Sequence, residues 1–306
     1  MLILNSFTEL NKIERSVNLA IGFFDGVHEG HEAVIRNVSC GDGSATVVLT
    51  FDPHPSSILS PRLSLPIITP LEHKQRLIAK LGVDYLLVIK FDKDRANQSA
   101  EKFVGEIVDS CELKSISVGN EFRFGCERKG DVDFLTELGK DLGFKVIGID
   151  RVRDERGDVI SSTRIRESLK SGNLKEAKSL LGRDFSISGL VTKGDGIGRE
   201  MSFPTANIED LESAAIPHGV YAVLADLGGE SFKGVANLGV RPTVMSSNNS
   251  KPKLEVHLFD FDRVIYGKIL EISFVEYLRE EKKFNSLADL KNQINDDVNV
   301  AKRMFS

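Results

Sequence analysis

The stretch "AIGFFDGVHEGH", residues 20–31, decides the fold of the first half of the chain. It ends an apolar run, Val17–Ile21, in three glycines, one aspartate and two histidines. An apolar run this short, bounded by turn residues, reads as a strand buried on both faces. Such a strand delivers its polar exit to the carboxyl edge of a parallel sheet, where ligands of open α/β folds bind.

Working outward, similar runs recur at 46–51, 85–91, 116–118 and 144–149. Helical patterns fall between them. "LEHKQRLIAKL" (71–81) places Leu77, Ile78 and Leu81 on one face, and "SAEKFVGEIVDS" (99–110) opens with Ser99 as its cap. Strands alternating with helices imply right-handed crossovers and a parallel sheet of nucleotide-binding, Rossmann-like type. After Leu181 the period changes to two. "FSISGLVTKGD", "GVYAVLADLGGE", "FKGVANLGV", "LEVHLFDFD" and "KILEISFVEYL" are separated by Gly, Asn and Pro turns, which predicts an antiparallel barrel or sandwich. One amphipathic helix ends the chain, with Leu287, Leu290, Ile294, Val298, Ala301 and Met304 at helical spacing. The expected domains are 1–182, α/β, and 183–306, a β-barrel with a terminal helix.

Composition fits this plan. A chain of 306 residues exceeds the usual single-domain size. Its net charge of −5 disfavours a partner bound through nucleic-acid phosphates. Cys40, Cys111 and Cys126 are odd in number and have no metal-ligand spacing, which suits a reducing compartment. The first sixteen residues are interrupted by polar and acidic side chains, unlike a signal peptide, and no apolar run is long enough to span a bilayer. The expectation is a cytoplasmic protein, a monomer or weak homo-oligomer, acting on small molecules without nucleic-acid or membrane partners.

The chemistry follows from the residues at the strand exit. Gly22, Gly26 and Gly30 let the backbone approach a ligand, and a helix starting near Gly30 or His31 aims unpaired N–H groups at it. His28 and His31 can donate to phosphate oxygens as charge builds during substitution at phosphorus. Two loop histidines without function explain the same residues, whereas a metal site lacks a third ligand nearby. "ISSTRIR" (160–166) adds Ser161, Ser162, Thr163, Arg164 and Arg166 ahead of the helical pattern "IRESLKSG", as phosphate donors or simply as a capped helix start. In the second half, Thr205 and Asn207 share a face of an extended segment. A hydroxyl with an amide oxygen suits Mg²⁺, which completes its shell with phosphate and water, and a polar turn after Pro204 is the alternative. "GDGIG" at Gly194–Gly198 lacks the Gly-Lys-Ser/Thr ending of a P-loop.

"GFFDGVHEGH" and "ISSTRIR" together resemble the nucleotidyltransferase superfamily. "TFDPHP" (50–55) and "VGNEFRFG" (118–125) narrow the resemblance to the bacterial bifunctional riboflavin kinase/FAD synthetases. The second half resembles the riboflavin kinase module of that family through "GREMSFPTANI", "GVYAV", "GVANLGVRPTV", "LEVHLFDF" and "FNSLADLKNQINDD", in order. The resemblance covers essentially the whole chain.

It implies an enzyme of two steps. The barrel phosphorylates riboflavin with Mg·ATP to give FMN, and the α/β domain transfers AMP from a second ATP to FMN with release of pyrophosphate. It implies His28, His31 and Arg166 at the transferred phosphate. Gly22, Phe24, Asp25, Gly26, Gly30, Ser161, Ser162, Thr163 and Arg164 would surround ATP in the first domain, and Gly194, Gly198 and Arg199 in the second. Phe51, Pro53, Glu121, Phe122, Arg123 and Phe124 would hold the flavin, Thr205 and Asn207 the Mg²⁺, and Glu255 would take the proton from the riboflavin 5′-hydroxyl. Three positions depart from the family: Phe23 for Asn, Glu121 for Asp or Asn, and Ser202 for Gly. The alternatives are a chain keeping one activity and a flavin- or nucleotide-binding regulator without turnover. A class I aminoacyl-tRNA synthetase, which shares the His-x-Gly-His element, is opposed by the acidic balance and the C-terminal half.

Overall fold

The run at Val17–Ile21 is a strand in which every residue is buried. The computed structural model describes residues 1–38, 41–59, 65–194, 196, 198, 201–208, 215–240 and 252–306. Within these, contacts gather the chain into two units, Met1–Ser162 and Thr163–Ser306.

The first unit is a parallel sheet of β1 (Leu2–Leu4), β2 (Val17–Ile21), β3 (Ala45–Asp52), β4 (Tyr85–Lys90), β5 (Leu113–Gly119) and β6 (Lys145–Ile149). The spatial order is β1-β4-β3-β2-β5-β6. Side chains alternate between two cores. Leu19, Ile21, Val47, Leu49 and Leu87 meet Phe103 and Ile107 of α5 (Ala100–Val108) and Leu135 of α6 (Val132–Leu142) on one face. Ala20, Val48 and Leu86 meet Ile35 of α1 (Glu29–Arg36) and Ile78 of α3 (Leu71–Ala79) on the other. Both faces are covered, which is why the strands read as continuous apolar runs. Short helices α2 (Pro55–Leu59) and α4 (Lys93–Ala96) follow β3 and β4.

The chain runs outward through β2, β3 and β4 and then returns to β5 on the other flank of β2. The exit of β2 therefore lies where strand order reverses, the usual ligand crevice of such sheets. Ser117 of β5 fixes α1 over this point by donating from Oγ to the Val34 carbonyl oxygen at 2.9 Å.

Details differ from the sequence reading. Edge strand β1 was not expected, because three residues with Leu2 and Ile3 exposed carry no periodic signal. Ser99 does cap α5, accepting from the Lys102 N–H at 3.2 Å. Helix α7 (Ser162–Lys170) begins at Ser162, so Ser162 and Thr163 belong to its first turn and do not precede it.

In the second unit, α8 (Leu174–Leu181) follows α7, and its buried Leu174, Ala177, Leu180 and Leu181 lie on a helix packed against barrel strands β7 (Phe185–Thr192) and β12 (Ile269–Arg279). The other strands are β8 (Ala206–Ile208), β9 (Gly219–Leu227), β10 (Glu230–Val240) and β11 (Pro252–Leu258). The antiparallel barrel closes in the order β10-β11-β8-β7-β12-β9, which leaves no open edge. Terminal helix α9 (Leu287–Met304) has the expected period, yet Leu287 and Met304 at its ends are exposed. Its buried stretch includes Asp297, which accepts from Arg279 Nε at 2.8 Å and Nη2 at 2.7 Å and from Gln293 Nε2 at 3.1 Å. A paired, bidentate guanidinium is what allows a carboxylate at that depth. No helix among the described residues is long and apolar enough to cross a membrane.

Candidate functional site

At the exit of β2 the backbone turns sharply. Phe24, Gly26 and Val27 have φ of 50°, 93° and 41°. A β-branched residue such as Val27 pays most in this left-handed region, and strain of this kind persists where surrounding contacts over-determine it. Those contacts are specific. The Asp25 carboxylate accepts from the backbone N–H groups of Ile68 (3.0 Å) and Thr69 (3.0 Å), and the Asp25 carbonyl oxygen accepts from Ser162 Oγ at 2.9 Å. The turn delivers His28 as the N-cap of α1, its Nδ1 accepting from the His31 N–H at 3.3 Å. That bond places the proton of the neutral ring on Nε2, the donor nitrogen of this tautomer. The His28 and His31 rings stack at 3.6 Å between centroids, and Phe24 meets His31 edge-on at 5.4 Å.

The glycines of this motif make room for side chains. A Cβ at Gly22 would lie 2.8 Å from the Phe24 ring, and one at Gly30 would lie 3.1 Å from the His28 ring. The sequence reading gave both glycines to ligand approach alone. Beside the turn, Phe23 packs on Phe51 (5.7 Å) and His54 (5.5 Å), next to the cis Asp52–Pro53 bond. Phe122 and Phe124 stack at 5.4 Å, with Phe124 buried in the core. Exposed Glu121 pairs with Arg151, and Arg123 donates to the Phe122 carbonyl oxygen at 3.0 Å. Thr163, Arg164 and Arg166 lie on α7 in the second unit, where Arg164 reaches Glu176 of α8 at 3.3 Å.

The barrel holds a cavity of about 360 Å³ lined by Gly198, Thr205, Asn207, Asn237 and Glu255 among others. Register explains their convergence: Asn207 pairs with Glu255, and Glu255 pairs with Asn237, so three polar side chains form one row across β8, β11 and β10. Asn207 is buried and donates from Nδ2 to the Thr205 carbonyl oxygen at 3.3 Å. A Cβ at Gly194 would overlap the Asn207 amide, and one at Gly198 would lie 3.3 Å from Thr205 Oγ1. Glu255 Oε1 meets Lys253 Nζ at 2.8 Å. Ser202 has φ of 70°, the glycine-favouring conformation in which its departure from the family pattern matters. Arg199 lies outside the described residues. Among the described residues no group of three or more His, Cys, Asp or Glu side chains could hold a metal. A hydroxyl and an amide oxygen beside a cradle kept open by glycine fit a metal that arrives with phosphate.

Sequence reasoning missed Asn237, Arg279 and Glu281 in this cavity wall. Asn237 donates to Glu281 Oε1 at 3.2 Å. Its signal was available: an amide inside the otherwise apolar run "GVANLGV".

A parallel sheet with a histidine-capped helix at its ligand crevice and a barrel with a polar-lined cavity lie in one chain, and the comparisons give this arrangement its class, a transferase with two activities. Residues 10–164 match the family model for FAD synthetase, and residues 181–305 match that for riboflavin kinase. The chain is 38% identical over 293 residues to the bifunctional riboflavin kinase/FMN adenylyltransferase of Escherichia coli (strain K12), covering 94% of this chain and 92% of that one. It is 36% identical to the protein of the same name from Buchnera aphidicola subsp. Schizaphis graminum, over 100% of this chain and 99% of the other. A crystal structure described as a macrolide-efflux protein from Streptococcus pneumoniae shares the fold with a TM-score of 0.81 and 29% identity, covering 99% of both chains. The chain belongs to the bifunctional riboflavin kinase/FMN adenylyltransferase family. It is a transferase of small-molecule substrates, with both activities.

Proposed function

We propose that the barrel cavity is the riboflavin kinase site and the β2 exit the FMN adenylyltransferase site, each using ATP with Mg²⁺. The observation that carries the kinase assignment is the row Asn207–Glu255–Asn237, which sets a carboxylate beside the amide and hydroxyl groups suited to the metal. Thr205 and Asn207 would hold Mg²⁺, which when bound neutralises the ATP phosphates. Glu255 takes the proton of the riboflavin 5′-hydroxyl as that oxygen attacks the γ-phosphorus, and ADP leaves. Gly194 and Gly198 keep the phosphate cradle open.

In the second reaction the FMN phosphate is itself the nucleophile. It attacks the α-phosphorus of ATP, and pyrophosphate departs. The protein therefore supplies alignment and charge stabilisation, with no covalent intermediate. His28 and His31 donate to the oxygens that gain charge. Ser161 adds a phosphate contact, while Gly22 and Gly30 shape the pocket and Gly26 turns the chain. Asp25 works through its carboxylate as the strut that holds 68–69. Phe51, Pro53, Phe122 and Phe124 flank the flavin, with Glu121 and Arg123 at its polar end. We place the protein in the cytoplasm as a monomer or weak homo-oligomer, and the net charge of −5 supports a protein without nucleic-acid partners. Riboflavin and FMN offered separately with ATP and Mg²⁺ test the reading: each should be consumed, and a chain that consumes only one of them contradicts it.

Two further results are expected. Gly194→Ala drives a methyl group into the Asn207 amide. Overpacking of this kind costs roughly 1–3 kcal/mol, so the KM for ATP in riboflavin phosphorylation should rise about tenfold or more while FMN adenylylation is unchanged. The functional boundary is proposed at 182/183, and a fragment of residues 183–306 should make FMN and no FAD. A fragment of 163–306 should melt higher, because it keeps the buried face of α8, where each fully buried aliphatic side chain contributes about 1.5–3 kcal/mol. Equal melting temperatures would show that α8 adds nothing to the barrel.

A further inference from the structure

One buried cation has no part in the roles assigned above. Lys74 of α3 is 5% exposed, and its ammonium donates to the Phe23 carbonyl oxygen at 2.9 Å. The same oxygen accepts from Oγ1 of Thr50, a fully buried residue of β3, at 3.1 Å. Burial pushes the Lys74 pKa below its ordinary value, and the Asp25 and Asp52 carboxylates draw it back up. Desolvating an ammonium is expensive even with carboxylates facing it, and apolar residues of similar volume are often more stabilising. What the lysine adds here is geometric.

Phe23 is where the chain leaves β2. The next residues are the left-handed Phe24, then Asp25, Gly26 and Val27, and then His28. The far side of this turn is tied by the bonds of Asp25 to 68–69 and to Ser162. The near side is tied by Lys74 and Thr50 at the Phe23 oxygen.

We propose that Lys74 is a positioning residue for adenylyl transfer: held in α3, it fixes the Phe23 carbonyl and through it the placement of His28 and His31. It touches no substrate. The inference rests on the assignment of His28 and His31 made above.

The test uses the full chain with Lys74→Met, Thr50→Val and both together, following FMN adenylylation and riboflavin phosphorylation in the same samples. In Lys74→Met the kcat of FMN adenylylation should fall about 10²-fold, as misplacement of reacting groups by about 1 Å does. The KM values for ATP and FMN should stay close to those of the unmodified protein, and riboflavin phosphorylation should be unchanged. Thr50→Val should lower the same kcat by a smaller factor. Because both groups act on one oxygen, the double variant should lose less than the product of the single losses. An unchanged kcat in Lys74→Met, a loss confined to KM, or losses that multiply would overturn the proposal. Should Lys74→Met unfold at the assay temperature, Thr50→Val reads the same oxygen alone, and an unchanged kcat there is equally contrary. FAD formation that survives loss of both histidines would instead strike the underlying assignment.

Discussion

With His28 and His31 both replaced by alanine, the chain should convert riboflavin to FMN at the rate of the unmodified protein and make almost no FAD. The two rings stack at 3.6 Å at the start of α1, and the bond from the His31 N–H to His28 Nδ1 leaves the other nitrogen as donor. Removing one donor of this kind from a site of developing charge typically lowers the rate about 10²–10³-fold. Two stacked donors act as a unit, so the double loss should exceed either single loss without reaching their product. The alanine at 28 also removes a helix cap, worth about 1 kcal/mol. His28→Asn separates the effects, since asparagine caps well and offers no imidazole: FAD formation should still be lost. Near-normal FAD formation by the double alanine variant would remove both residues from the mechanism.

The second large effect is expected of Glu255→Gln. The amide keeps the shape of the carboxylate in its row between Asn207 and Asn237 and cannot take a proton. Loss of a positioned general base costs about 10²–10⁴-fold, so riboflavin phosphorylation should fall by that factor at saturating ATP. The KM for ATP should change little, because the metal-facing groups Thr205 and Asn207 are untouched, and FMN adenylylation should proceed normally. Normal phosphorylation of riboflavin by this variant would show that the proton goes elsewhere.

What the sequence made legible follows from periodicity. The alternation of Leu19, Ile21 and Ala20 between two cores is imposed by the pleat, so an apolar run with turn residues at its end reveals both the strand and the location of its exit. The pairing of His28 with His31 was legible for a similar reason, since their spacing around one helix start is local. Features that depend on tertiary partners were not. Asp297 sits on α9 like any surface acid, and the guanidinium that compensates its buried charge, Arg279, lies eighteen residues earlier on β12. Gly22 and Gly30 read as ligand-approach glycines until the Phe24 and His28 rings are seen beside them. Lys74 shares its helical face with Leu77, Ile78 and Leu81, so its burial follows from spacing, whereas its partner, the Phe23 carbonyl just beyond β2, is announced by nothing near it in sequence. The row Asn207–Glu255–Asn237 needs the barrel register, which joins three strands distant in the chain. Only the residue types, polar groups within apolar runs, hinted at it.

One chain carries both reactions in succession, the first product being the second substrate. A chromatographic time course of the intact protein with riboflavin, ATP and Mg²⁺ tests it most directly. FMN should rise first, FAD should follow after a lag, and FMN should then decline as FAD accumulates. FMN that accumulates without any FAD, or riboflavin that is left unconsumed while added FMN is converted, would contradict it.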